Sequence, residues 1–182
     1  MVNRRSAIRQ LFCVSVGALI LPSCMDDKSK ASILLKNFSI DAEQEKVLEE
    51  LMETILPQTS TPGAKDIYAH LFALKMLDDC FKKEDQQKFT QGLKQFQKRA
   101  GSEMNASFLK ATTAERQSFL RKIEADKDSK DDLTFFYRTA KQLVIQAYTT
   151  SQYYLTKVQV YEMVPARYHG CVPVKAMSSK PS

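Results

Sequence analysis

Asp131-Asp132-Leu133-Thr134-Phe135-Phe136-Tyr137-Arg138-Thr139-Ala140-Lys141-Gln142-Leu143-Val144-Ile145-Gln146-Ala147-Tyr148-Thr149-Thr150 is the stretch that decides the fold. Leu133, Phe136, Tyr137, Ala140, Leu143, Val144, Ala147 and Tyr148 recur at spacings of three and four, which puts them on one broad face of an α-helix. The paired aspartates at its start have a structural role, because a helix N-terminus favours negative charge. A stripe this wide must be covered by other helices, so residues 131–150 are expected to form the longest helix, at the centre of a bundle.

Upstream, the same period continues. Asp41 can cap a helix, with Gln44 reaching back to it as in a capping box, and Val47, Leu48, Leu51, Met52 and Ile55 form its stripe before Pro57 closes it. The run Gln58-Thr59-Ser60-Thr61-Pro62-Gly63 has loop chemistry. A second helix is expected over Lys65–Phe81, with His70 at its edge, and a third over Glu84–Ala100 with Gly101 as its stop. Thr112-Thr113-Ala114-Glu115 reads as a further capping box, opening a helix through Phe119, Leu120 and Ile123. Downstream, Tyr153, Tyr154 and Leu155 suit one more short helix. From Val158 on, Val160, Pro165, Val172 and Pro173 favour extended chain. The fold class is therefore all-α: about five or six helices with an extended C-terminal strap, over residues 38–174, and a frayed tail at 175–182.

The N-terminus has a different composition. Arg4, Arg5 and Arg9 precede an apolar run from Leu11 to Leu21 with no acidic residue. That run is short of the roughly 20 residues a spanning helix needs, and the layout is that of a secretory signal. The pair Arg4-Arg5 looks like a twin-arginine export signal, and Leu21-Pro22-Ser23-Cys24 resembles a lipobox that would lipidate Cys24. The bland readings are a chance Arg-Arg and an ordinary thiol. Residues 1–23 are thus expected to be a signal peptide and 24–37 a polar tether, with the chain exported to the periplasmic side of the envelope and attached to a membrane by lipid. Removing three arginines from 27 basic residues leaves 24 against 21 acidic ones, a net of +3, too mild to argue for nucleic acid.

Chemistry-bearing patterns are sparse. Beyond the signal the glycines are Gly63, Gly92, Gly101 and Gly170, too scattered to cradle a dinucleotide or nucleotide phosphate. A metal site from His70, Cys80, His169 and Cys171 is disfavoured, since ten residues of helix separate His70 from Cys80, about 15 Å. No nucleophile elbow is present. No catalytic residue, cofactor-binding residue or metal ligand is assigned, and the chain is expected not to be an enzyme by itself. Cys80 and Cys171 would pair in an oxidising compartment, clamping the strap to the second helix; two free thiols are the other reading.

Two stretches carry a resemblance. Ile55-Leu56-Pro57-Gln58-Thr59-Ser60-Thr61-Pro62-Gly63-Ala64 and Tyr161-Glu162-Met163-Val164-Pro165-Ala166-Arg167-Tyr168-His169-Gly170-Cys171-Val172-Pro173 are similar to the opening and ending of the gluconate 2-dehydrogenase small subunit (subunit 3) family. The sequence departs from that pattern where Ser60 stands for a frequent Asp and Ala166 for a frequent Gly. The resemblance implies an accessory role. Such subunits pair with a large FAD-containing subunit of the glucose-methanol-choline oxidoreductase family, often with a cytochrome c subunit as electron acceptor. The small subunit lends its export signal to the folded complex, and FAD resides in the partner. On the strap, Tyr161, Met163, Arg167 and Tyr168 are residue types enriched at interfaces, and are either a partner surface or packing of the strap onto its own domain. The competing functional reading is a stand-alone envelope lipoprotein that uses the helical body as a binding or scaffolding module.

Overall fold

Five α-helices follow one another in the computed structural model, which describes residues 31–104, 106–125, 131–159 and 171. They are α1 (Ala42–Ile55), α2 (Ala69–Cys80), α3 (Lys83–Met104), α4 (Thr113–Ala125) and α5 (Asp132–Thr149), followed by a π-helical turn at Tyr154–Val158. No strand occurs among the described residues, and the all-α class holds. All of them fall within the compact unit that begins at Ala31.

The helix starts follow the sequence. Asp41 accepts the Gln44 amide at 2.7 Å while the Gln44 side chain accepts the Asp41 amide at 3.1 Å, which completes the capping box of α1. Thr112 and Glu115 do the same for α4, with Glu115 accepting from the Thr112 amide at 2.8 Å. Asp131 caps α5 by accepting from the Thr134 amide at 2.9 Å.

α5 is the central helix and packs against α1, α2 and above all α3. α3 comes close to the backbone of α5 at Gly92, where a Cβ would lie 2.1 Å from the carbonyl oxygen of Asp132. Beside that contact the core is aromatic. Phe89 meets Phe136 edge-on at 4.9 Å between ring centroids, and Phe96 contacts Phe108 at 4.9 Å, Phe119 at 5.3 Å and Phe136 at 5.5 Å. Such pairs add about 0.5–1.5 kcal/mol each beyond area burial, so Phe96 ties α3, α4 and α5 together.

Three boundaries differ from the sequence reading. The longest helix is α3, with 22 residues against 18 for α5. It passes straight through Gly101, which lacks the positive φ of a helix-ending glycine; an Arg99–Glu103 pair at 2.7 Å and a Lys122–Glu103 pair at 3.2 Å support the added turn. α2 begins at Ala69, four residues later than expected, because Ala64–Tyr68 form turns.

The third difference is at the N-terminal end. Residues 31–37, read as the end of a tether, are docked on the bundle. Glu45 accepts from the Ser32 amide at 2.5 Å and from its hydroxyl, and the Asp78 carboxylate accepts from the Lys36 and Asn37 amides at 2.9 and 2.8 Å. Ala31, Ile33, Leu35 and Phe38 pack on the core. Along this N-terminal strap the half-buried Ala31, Ile33 and Leu35 alternate with the exposed Ser32, Leu34 and Lys36. The two buried carboxylates make it an ordered part of the domain.

Candidate partner-docking face

The loop joining α1 to α2 is unusually well determined by its own chemistry. Glu53, in the last turn of α1, accepts the Gln58 amide and the Lys65 amide, both at 2.9 Å. The Gly63 amide donates to Asp66 at 2.8 Å and the Ala64 amide to the Leu56 carbonyl at 2.9 Å. Gly63 is required by close approach, because a Cβ there would sit 2.5 Å from the Gln58 nitrogen. Below the loop, Glu50 pairs with Lys65 and with Arg116, each at 2.5 Å, and Arg116 also donates to the Phe108 and Leu109 carbonyls at 2.9 Å. Desolvation alone would raise the Glu50 pKa; the hydrogen bonds from Lys65 and Arg116 outweigh it and hold the carboxyl below its ordinary range.

This loop delivers Tyr68. Its backbone lies at φ 53° and ψ 40°, and among the described residues it is the one non-glycine with positive φ. The left-handed region costs an ordinary side chain about 1–2 kcal/mol. The geometry is imposed: the Tyr68 amide donates to the Lys65 carbonyl, the Ala69 amide reaches back to the Ala64 carbonyl, and the Tyr68 carbonyl accepts the Leu71 and Phe72 amides. The ring gains little burial in return, being 65% exposed. A strained, solvent-facing aromatic held by an ordered loop is a feature of recognition sites.

The residue before Tyr68 in the chain, Ile67, lines a groove of about 700 Å³. Pro62, Ile67 and Phe72 form one wall, and Ala147, Thr150 and Tyr153 at the end of α5 form the other. Tyr148 braces that second wall, its ring 6.4 Å from Tyr153 and 5.6 Å from Tyr154. Apolar Pro62, Ile67 and Phe72 together with polar Asp66, Ser151 and Gln152 make a mixed surface suited to a protein side chain or segment.

Of the residues singled out from sequence, Arg4, Arg5, Cys24, Tyr161, Met163, Arg167 and Tyr168 lie outside the described residues. Cys80 and Cys171 are exposed free thiols, so the bridge expected between them is not made in this structure. His70 is buried, not at a helix edge: its Nε2 lies 3.8 Å from Glu45 and its Nδ1 has no partner, and desolvation lowers its pKa although Glu49 and Glu45 act the other way. Among the described residues no group of three or more His, Cys, Asp or Glu could hold a metal, and no helix is long and apolar enough to cross a membrane. Tyr68 was missed because its sequence neighbours read as helix; the only cue was the Pro62-Gly63 turn just before it.

The profile of a family described as gluconate 2-dehydrogenase subunit 3 matches residues 42–166. The chain belongs to that family. No curated protein and no solved structure matches it. The match begins with α1, takes in the whole bundle, the Glu53-bound loop and the groove, and continues beyond the π-helical turn. The gluconate 2-dehydrogenase subunit 3 domain is thus the helical body itself, and the docked strap at 31–40 stands just outside it.

Proposed function

We propose that the chain is the non-catalytic small subunit of an exported flavoprotein dehydrogenase, acting on gluconate, a sugar or a polyol. In this reading Arg4 and Arg5 belong to a twin-arginine signal that exports the folded complex, and lipidated Cys24 holds it to a membrane. The groove and Tyr68 receive the large FAD-containing subunit, of the glucose-methanol-choline class, and a cytochrome c subunit accepts its electrons. The oxidation belongs to the partner's flavin. What this chain contributes is a preformed surface, an address and an anchor.

The family match carries the proposal. The geometry supports it by offering a strained, exposed aromatic in the loop whose Pro62 and Ile67 line a partly apolar groove. Rigidity matters because a surface ordered before binding loses less conformational entropy on association.

The test is export of the partner. In the native host, Arg4→Lys together with Arg5→Lys should strand both this chain and a flavin-containing large subunit in the cytoplasm. A large subunit that reaches the envelope unaided, while this chain stays behind, would overturn the carrier role.

A further inference from the structure

The strap and the helix beside it form a second surface, remote from the groove. Along the strap, Ile33 and Leu35 turn inward onto the core while Leu34 and Lys36 turn outward. Leu34 is 89% exposed, an apolar side chain with no cover at all. Where the strap passes α3 there is a groove of about 410 Å³ lined by Asn37, Ser39, Lys83, Gln87, Gln91 and Lys94 among others. Its lining includes two lysines and no carboxylate. Among the described residues no ion pair holds Lys36, Lys83 or Lys94, and Asp78 of α2, which the strap meets, is buried and occupied by backbone amides.

We infer that this surface, with Leu34 and Lys36 on the strap and Lys83 and Lys94 along the groove that the strap enters, rests on a bilayer containing anionic lipid. The inference builds on the lipidation at Cys24 in the preceding section. From Cys24 to Ala31, the first residue packed on the core, is seven residues, a reach of at most about 23–25 Å. A lipid at Cys24 would therefore hold the strap within that reach of the headgroups. Electrostatic attraction acts over only about 8 Å at physiological salt, so the face that carries the strap is the one that can use it. A basic cluster with one apolar residue has the chemistry of an interfacial anchor.

The placement is compatible with a partner on the other side. The strap takes its anchors near His70 and at Asp78, whereas the partner groove uses Phe72. At 100° per residue, His70 and Asp78 lie roughly 120–160° round α2 from Phe72. The domain can thus sit on the membrane by one face and hold the large subunit with a different one.

The chain contains no tryptophan, so Leu34→Trp introduces a single reporter at the predicted contact. The chain from residue 24 onward, carrying Cys24→Ser and Leu34→Trp, is mixed with vesicles of equal phosphatidylglycerol and phosphatidylethanolamine, and separately with phosphatidylcholine vesicles. A blue shift of emission is expected with the anionic vesicles only, reversed by salt. Lys83→Gln with Lys94→Gln in the same background should lower the partition roughly 25-fold, about fivefold per lysine. Sedimentation of the chain with native Leu34, and with Leu34→Ser, checks that the tryptophan itself does not create the affinity; the serine variant should sediment less. Solvent-like emission throughout, or binding that ignores both salt and the two lysines, would overturn the inference. Because Cys24 is absent from this assay, failure here is separate from failure of lipidation, which is read from the mass of the wild-type chain recovered from membranes.

Discussion

Two glycines of the same helix should respond to alanine with opposite signs. At Gly92 an added Cβ would meet the Asp132 carbonyl oxygen at 2.1 Å, the Phe136 Cβ at 2.5 Å and the Asp132 carbonyl carbon at 2.7 Å. Two of those atoms are backbone at the capped start of α5 and cannot rotate away. Restoring an ordinary contact of about 3.4 Å to the oxygen requires α3 and α5 to separate by more than 1 Å locally, through a core that is close-packed. Overpacking of this kind costs about 1–3 kcal/mol, at the upper end when backbone is involved. The gain in helix propensity, about 1 kcal/mol, offsets part of it. Gly92→Ala should therefore destabilise by about 1–2 kcal/mol, or roughly 2–8 °C in Tm at this chain length. At Gly101 the position is exposed, and the added Cβ meets nothing within 4 Å, so only the propensity term survives. Gly101→Ala should stabilise by about 0.5–1 kcal/mol. Thermal and urea unfolding followed by circular dichroism reads both. Equal effects, or a neutral Gly92→Ala, would refute the claim that close backbone approach at Gly92 seats α3 on α5.

Other consequences follow from the loop, the strap and the buried histidine. Tyr68→Gly removes the left-handed strain and should raise stability by up to about 1 kcal/mol in urea unfolding, while lowering recovery of the large subunit in pull-down; a variant that binds as well as wild type would place the contact elsewhere. Asp78→Asn removes a charged acceptor from the Lys36 and Asn37 amides, should cost about 2 kcal/mol, and should speed hydrogen exchange at those amides more than tenfold. His70 has its pKa lowered on folding, first by desolvation, so the unfolded chain binds the extra proton. Stability is then fully present above about pH 6.5 and falls as pH drops below it toward the folded pKa. His70→Gln should flatten that part of the stability curve relative to wild type, and an unchanged slope would exclude His70 as its source.

The bundle was legible because helical period and caps are local. Asp41, Thr112 and Asp131 each announce a helix start through a side chain that reaches its own backbone within three residues, and the Leu48-Leu51-Met52 stripe buries as its spacing requires. What was not legible depends on partners distant in sequence. Ser32 and Lys36 look like solvated tether until Glu45 and Asp78 are brought to them by the fold. Gly101 reads as a stop because sequence does not carry φ. Tyr68 has no residue signature for its left-handed backbone, which the Glu53–loop hydrogen bonds and the Ala64 carbonyl impose from outside. His70 reads as a helix-edge residue because what buries it is distant in sequence, and Glu45 of α1 is brought to it only by the fold. The accessory role was read from the loop and strap motifs, and the family match over residues 42–166 establishes the family those motifs pointed to.

The most direct test of the account is to purify the tagged chain gently from native membranes and measure flavin absorbance against protein. The account predicts one large flavin-containing subunit per copy of this chain, with the flavin lost from the preparation when Tyr68→Gly is introduced and retained in the Gly101→Ala control. A colourless chain recovered alone from the same membranes would contradict it, and would leave a lipoprotein that uses its helical body to bind something else.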